Sequence, residues 1–241
     1  MIPPEWMSDI KGVWFDLDGT LFDHRAAADQ ALAKVHEIDP AVRIVPFARW
    51  RDAFHRRNAE CWDAATEGRM DQETIRSERF RMTLRDVGIM SPELANRCNS
   101  LYLGIYPWQP TPVPGAVDAV EAARSAGIKV GVLTNGFAQI QRRKLSAIGF
   151  EDIDVVVSED VGVMKPDTGI FDVAAEQMAL SPQSLLMVGN RYDSDVIGGN
   201  AAGWRTVWLN DPAMDIPDDS AANLVLSNPD DLPKLFAVGQ A

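Results

Sequence analysis

Asp16 and Asp18 are separated by a single leucine and followed by Gly19 and Thr20. In an extended strand, residues two apart project to the same side, so these two carboxyls are expected to point together. Like charges that close resist joint ionisation, and a bound cation removes the conflict. One carboxylate can then act as a nucleophile while the other exchanges protons with a leaving group. The same spacing also suits two plain surface acids at a strand end. Thr134-Asn135-Gly136 offers a hydroxyl and backbone N–H groups just before a helix, a place where anions bind. An ordinary helix cap and turn has the same composition. In Gly162-Val163-Met164-Lys165-Pro166, a lysine held by proline supplies fixed positive charge against carboxylates or phosphate oxygens, or is simply a solvated lysine. Val188-Gly189-Asn190 with Asp193 and Asp195 presents oxygen donors suited to a hard cation such as Mg²⁺, or acids gathered at a helix N-terminus.

These four groups converge only if the intervening chain positions them. Lys11–Asp18 is a short apolar run ending in carboxylates, the pattern of a buried parallel strand. After Pro114 an α/β rhythm sets in: helix Gly115–Ala126, strand Ile128–Thr134, helix Ala138–Ile148, strand Asp154–Ser158, helix Ile170–Met178, strand Leu185–Val188, helix Asp193–Ala202 and strand Thr206–Leu209. The expected fold class is α/β, a doubly wound parallel sheet of Rossmann-like connectivity. Ligands of such sheets bind beyond the carboxyl ends of the strands, and all four polar groups fall at such ends.

Between them the texture differs. From His24 to Trp108 small and apolar residues recur at helical spacing, with amphipathic segments at Pro46–Thr66 and Glu73–Val87 and a helix start at Ser91-Pro92-Glu93. The expected organisation is a core domain of residues 1–23 and 109–241 with an inserted all-helical domain of residues 24–108. Within the insert, Trp50, His55, Arg56, Asn58 and Trp62 are candidates for substrate contact, although packing is the preferred reading of the two tryptophans. His24, His36 and His55 show neither triad nor metal spacing.

The chain has 241 residues, 46% hydrophobic and 24% charged, enough for a substantial core. Lys plus Arg number 23 against 35 Asp plus Glu, a formal net charge of −12. That sign disfavours nucleic-acid polymers and anionic membranes as partners. A small anionic substrate remains open, because a local site can oppose the global field. Cys61 and Cys98 sit in no CxxC or Cys/His pattern, which argues against a disulfide scaffold or zinc site. Residues Met1–Ile10 have no basic stretch followed by an apolar one, so no secretory signal is expected, and the chain reads as cytoplasmic.

Taken together, DLDGT after a strand, TNG, GVMKP, and GNRYDSD before GGNAAG resemble the haloacid dehalogenase superfamily of hydrolases, with a helical cap inserted after the first motif. Within it, FDLDGTLFD, LTNGF, SEDVGVMKPDTGIF and GGNAAGWRTVWLN are most similar to pyrimidine 5′-nucleotidases and N-acylneuraminate-9-phosphatases. The resemblance implies Asp16 as a nucleophile forming an aspartyl-phosphate, and Asp18 as the acid/base that also offers its backbone carbonyl to Mg²⁺. It implies Thr20 as a support of the loop, Thr134 and the Asn135 backbone as phosphate donors, and Lys165 as the cation joining nucleophile and phosphate. Asn190 stands where the family usually has a metal-binding aspartate, and Asp195 matches the second acid of that motif. Mg²⁺ is thus the expected cofactor, bound more weakly through Asp16, Asp18 and Asn190, with Asp193 or Asp195 compensating. The implied reaction is hydrolysis of a small phosphomonoester, with a nucleoside 5′-monophosphate as the first candidate and a sugar-phosphate or acyl-sugar phosphate as the alternative. A non-catalytic binding protein on the same fold is a third reading. The assembly is expected to be a monomer or homodimer. Dehalogenases of the superfamily lack an aspartate at the position of Asp18, which favours phosphate chemistry.

Overall fold

A computed structural model describes residues 3–213, 216 and 219–237. The chain divides into two compact units, one formed by the residues up to Asp23 together with those from Thr111 onward, the other by His24–Pro110.

The first unit is built on a six-stranded parallel sheet: β1 (Gly12–Phe15), β2 (Lys129–Thr134), β3 (Asp154–Val157), β4 (Leu185–Gly189), β5 (Arg205–Leu209) and β6 (Leu224–Leu226). Their order across the sheet is β3-β2-β1-β4-β5-β6. The order reverses direction at β1, so the crevice beyond the carboxyl ends of β1 and its neighbours is where such a sheet receives a ligand. Every residue of β1 and β4 is buried. Strands covered on both faces must be apolar throughout, which is why they read as continuous hydrophobic runs rather than alternating ones. Trp14, Leu133, Met187, Ile170, Phe171 and Trp204 share one continuous core. Burying each side chain of that size stabilises the fold by roughly 1.5–3 kcal/mol.

Three elements differ from the sequence reading. β1 stops at Phe15 rather than running to Asp18. β6 is a short edge strand with no long apolar run to announce it. The segment read as one helix from Asp193 is a π-helical turn, Tyr192–Ile197, followed by an α-turn, Gly198–Ala201. Such wide turns recur at functional sites because they re-aim a side chain without breaking the helix.

The second unit is all-helical, with principal helices His24–Ile38, Phe47–Thr66, Gln72–Asp86 and Pro92–Ile105. Ser91 caps the last of these, its Oγ accepting from the Leu94 N–H at 3.2 Å ahead of Pro92. Trp50, Phe54, Phe80 and Tyr102 form its aromatic core, with ring centroids 4.9–5.8 Å apart. Trp50 therefore packs, and Trp62 is half-buried. His55 pairs with Asp29 and Arg56 with Asp86, while Asn58 accepts from the guanidinium of the buried Arg79 at 3.5 Å.

Candidate active site

The site begins where β1 ends. The Asp16 N–H still donates to Val188 O at 2.8 Å, so its backbone belongs to the sheet. From Leu17 the chain turns: the Leu17 carbonyl accepts from the N–H groups of Thr20, Leu21 and Phe22, and the Gly19 N–H donates to Phe22 O at 2.8 Å. Gly19 takes φ +87°, and a Cβ there would lie 2.4 Å from Asn190 Nδ2. Only glycine meets both demands. The turn replaces the unbroken strand expected through both acids. Each carboxylate is held by a different lysine.

Asp16 is buried, and its Oδ1 accepts from Lys165 Nζ at 2.8 Å. Its Oδ2 has no hydrogen-bond donor among the described residues. Lys165 is 1% exposed and places its ammonium hydrogens on Asp16 Oδ1, Asp195 Oδ1 (2.6 Å) and Leu133 O (2.8 Å). The side chain of Asn135 fixes this lysine's backbone on both sides, accepting from the Lys165 N–H at 2.8 Å and donating to the Lys165 carbonyl at 2.9 Å. Asp195 is buried in the π-helical turn, its Oδ2 accepting from the Arg191 N–H at 2.9 Å. Burial pushes the Asp16 carboxyl up to about 7, with Lys165 opposing and Asp195 reinforcing the rise. Burial works against the Lys165 ammonium, yet the charges of Asp16 and Asp195 and their hydrogen bonds hold its pKa above the ordinary lysine value.

Asp18 faces the helix Ala138–Ala147. Both of its carboxylate oxygens accept from Lys144 Nζ at 2.8 Å, and Oδ2 also accepts from Gln141 Nε2 at 3.0 Å. Gln141 Nε2 reaches Thr134 Oγ1 as well, at 2.7 Å. Thr134 is fully buried at the end of β2. The start of that helix is occupied from within the protein: Glu159 Oε2 accepts from the Ala138 N–H at 2.8 Å and Ser158 Oγ from the Gly136 N–H at 3.0 Å. A carboxylate at a helix N-terminus satisfies both the orphan donor and the dipole.

The remaining expected residues fall as follows. Thr20 is buried with its hydroxyl making no hydrogen bond. Asn190 lies against Gly19, and its Oδ1 is buried and accepts no hydrogen bond. Asp193 is exposed and makes none of these contacts. The structure thus brings Asp16, Thr134, Asn135, Lys165 and Asp195 together, sets Asp18 on its own lysine, and leaves Asp193 outside. Gln141 and Lys144 have no part in the sequence reading of the site. The available signal was on the helix: Gln141 and Lys144 occupy i and i+3 of the same face as Leu145, polar residues where an apolar stripe belongs.

Among the described residues, no three His, Cys, Asp or Glu side chains form a metal-holding group. The donor set does suit a hard cation by another route. An amide oxygen with no partner is sealed beside the turn that carries Asp18, one Asp16 oxygen is without a donor, and oxygen is the ligand Mg²⁺ takes. The charges agree: Asp16, Asp18 and Asp195 face Lys144 and Lys165, a formal surplus of one negative charge.

A family model of haloacid dehalogenase-like hydrolases matches residues 10–203. The chain belongs to this family. Pyrimidine 5′-nucleotidase YjjG of Escherichia coli K12 is 41% identical to it over 129 residues, 52% of this chain and 57% of that protein. The match spans little more than half the length of that relative. A glyceraldehyde 3-phosphate phosphatase of Methanopyrus kandleri is 29% identical over 201 residues, 82% of this chain and 83% of that one. Among solved structures, the magnesium-bound HAD-hydrolase YfnB of Bacillus subtilis superposes with a TM-score of 0.83 at 23% identity, covering 95% of this chain and 99% of its own. That likeness extends the haloacid dehalogenase-like fold over both units. No helix among the described residues is long and apolar enough to cross a membrane.

Proposed function

We propose that this chain hydrolyses small phosphomonoesters through an aspartyl-phosphate on Asp16, with Mg²⁺ as cofactor. The observation that carries the reading is Asp16 itself: a buried carboxylate with one oxygen fixed on Lys165 and the other without a donor. A nucleophile needs that combination of restraint and an open lone pair. Asp16 attacks phosphorus in line, the Asp16–phosphorus bond forms, and the bond to the leaving oxygen breaks. Asp18 gives that oxygen a proton and then takes one from the water that hydrolyses the aspartyl-phosphate. Lys165 and the Thr134 hydroxyl stabilise the phosphoryl oxygens. Asp16, the Asp18 carbonyl and Asn190 would hold Mg²⁺, which supplies Lewis-acid charge stabilisation when bound. The need for positive charge follows from the site's own surplus of negative charge, since a phosphate dianion adds to it.

The family's nucleotidase and phosphatase members named above support a phosphorylated metabolite as substrate, with a nucleoside 5′-monophosphate first and a triose or other sugar phosphate second. The His24–Pro110 unit serves as the cap that selects among them. The test is turnover of p-nitrophenyl phosphate and of a panel of nucleotides and sugar phosphates, in Mg²⁺ and in EDTA. Activity is expected in Mg²⁺ alone and lost in Asp16→Asn. Retained turnover in folded Asp16→Asn would remove Asp16 from the mechanism. In the same assay Asn190→Asp is expected to lower the Mg²⁺ concentration needed for half-activity, and an unchanged requirement would take Asn190 out of the metal site.

A further inference from the structure

The acid/base carboxylate is more tightly engaged than its task requires. Asp18 must bring an oxygen to the leaving group, yet both of its oxygens lie on Lys144 and one also on Gln141. Lys144 is 3% exposed and its ammonium lies 5.4 Å from the centre of the Phe22 ring, so it has little room to follow Asp18 outward. Gln141 and Lys144 stand one helical turn apart, on a helix whose start is pinned by Ser158 and Glu159. Neither is needed to build the sheet, and each would be an expensive choice at a core-facing position if it did no more than fill space. Gln141 also joins Asp18 to Thr134, the hydroxyl assigned to phosphate, its amide donating to both, so the restraint on Asp18 and the phosphate site share one side chain.

We propose that Lys144 and Gln141 are positioning residues that hold Asp18 withdrawn from the proton path in the resting enzyme, and that substrate releases it. This rests on the phosphatase reading above and adds to it a restraint on the proton-transfer group. A resting state that must be left lowers the apparent efficiency by the fraction of molecules already released. The tax falls only on reactions that need the proton. An alkoxide leaving from a nucleoside or sugar phosphate must be protonated as the bond breaks, whereas p-nitrophenolate departs without help.

The measurement is the ratio of kcat/KM for the alkyl phosphate that the wild type accepts best to kcat/KM for p-nitrophenyl phosphate. This ratio is independent of how much of a preparation is folded. In Lys144→Met it is expected to rise about threefold or more, and in Lys144→Arg, which keeps the cation, to stay near the wild-type value. Gln141→Leu is read in the same way, with a rise expected, and serves if Lys144→Met does not fold. An unchanged ratio in the variants would mean a structural role only, and a fall would mean that Lys144 holds Asp18 in its working position; either overturns the proposal. A wild type that hydrolyses neither ester refutes the phosphatase reading itself and this inference with it. A wild type active on both with an unmoved ratio refutes the inference alone.

Discussion

At the scale of single residues, the site is a contest between burial and charge. Asp16, Lys165 and Asp195 are all nearly sealed from water, and each ion is tolerable only because the others are present. The Asp16 carboxyl is raised to about 7, burial outweighing its lysine. The consequence for stability has a definite sign. Below about pH 4 the folded and unfolded chains both carry the Asp16 proton, and between about pH 4 and pH 7 only the folded chain does. The folded state therefore loses stability from this group as pH rises through that window, and the loss levels off above about 7. Asn at this position cannot titrate. In EDTA, denaturant titrations of Asp16→Asn and wild type are expected to diverge in the variant's favour as pH rises from about 5 to about 8, by roughly 1 kcal/mol or more. A difference that stays constant with pH would show that Asp16 is ionised throughout. The residues of this contest were legible because each stands in a short motif at a strand end. The ion pair of Asp18 was not, because Lys144 lies 126 positions away and no local pattern couples them.

At the scale of elements, what the motifs leave unstated is the backbone geometry that aims them. The alternation of apolar runs and helices made the parallel sheet readable, and β2, β3, β4 and β5 fall within a residue of where it puts them. The end of β1 was not readable to the residue, since Asp16 bonds to β4 while Leu17 already accepts the turn's N–H groups. The π-helical turn escaped for a related reason: helix periodicity does not distinguish a wide turn from an ordinary one over six residues. Its effect is visible at Gly189, the last residue of β4, where an added Cβ would lie 2.1 Å from Asp195 Oδ2. That distance is impossible, and the neighbour cannot yield cheaply because Lys165 and the Arg191 N–H hold it. Gly189→Ala is expected to cost about 1–3 kcal/mol of stability by overpacking and to reduce kcat about tenfold or more by displacing Lys165 through Asp195. Thermal melting and steady-state kinetics check both, and wild-type kcat in the alanine variant would show that Asp195 does not set the position of Lys165.

At the scale of the molecule, the site works against the field it sits in. The net charge of −12 repels a phosphate dianion at long range, and the buried lysines cannot offset it, being already matched by Asp16, Asp18 and Asp195. On the phosphatase reading, attraction to the substrate has to be local, from the proposed Mg²⁺ and from donors within a few ångströms. The composition made the global sign plain, but the local balance depended on which lysines the fold buries, and that is a property of tertiary contacts. Salt separates the two contributions, because the Debye length falls from about 30 Å at 0.01 M to about 8 Å at 0.15 M while close contacts are little screened. With Mg²⁺ held saturating, raising KCl over that range is therefore expected to increase kcat/KM for a nucleoside monophosphate, by about two- to threefold, through KM rather than kcat. An enzyme that draws in its substrate with a positive funnel shows the reverse slope. A fall in kcat/KM with salt would mean that local charge reaches beyond the site and governs capture, and the acidic surface would then have no bearing on how the substrate arrives.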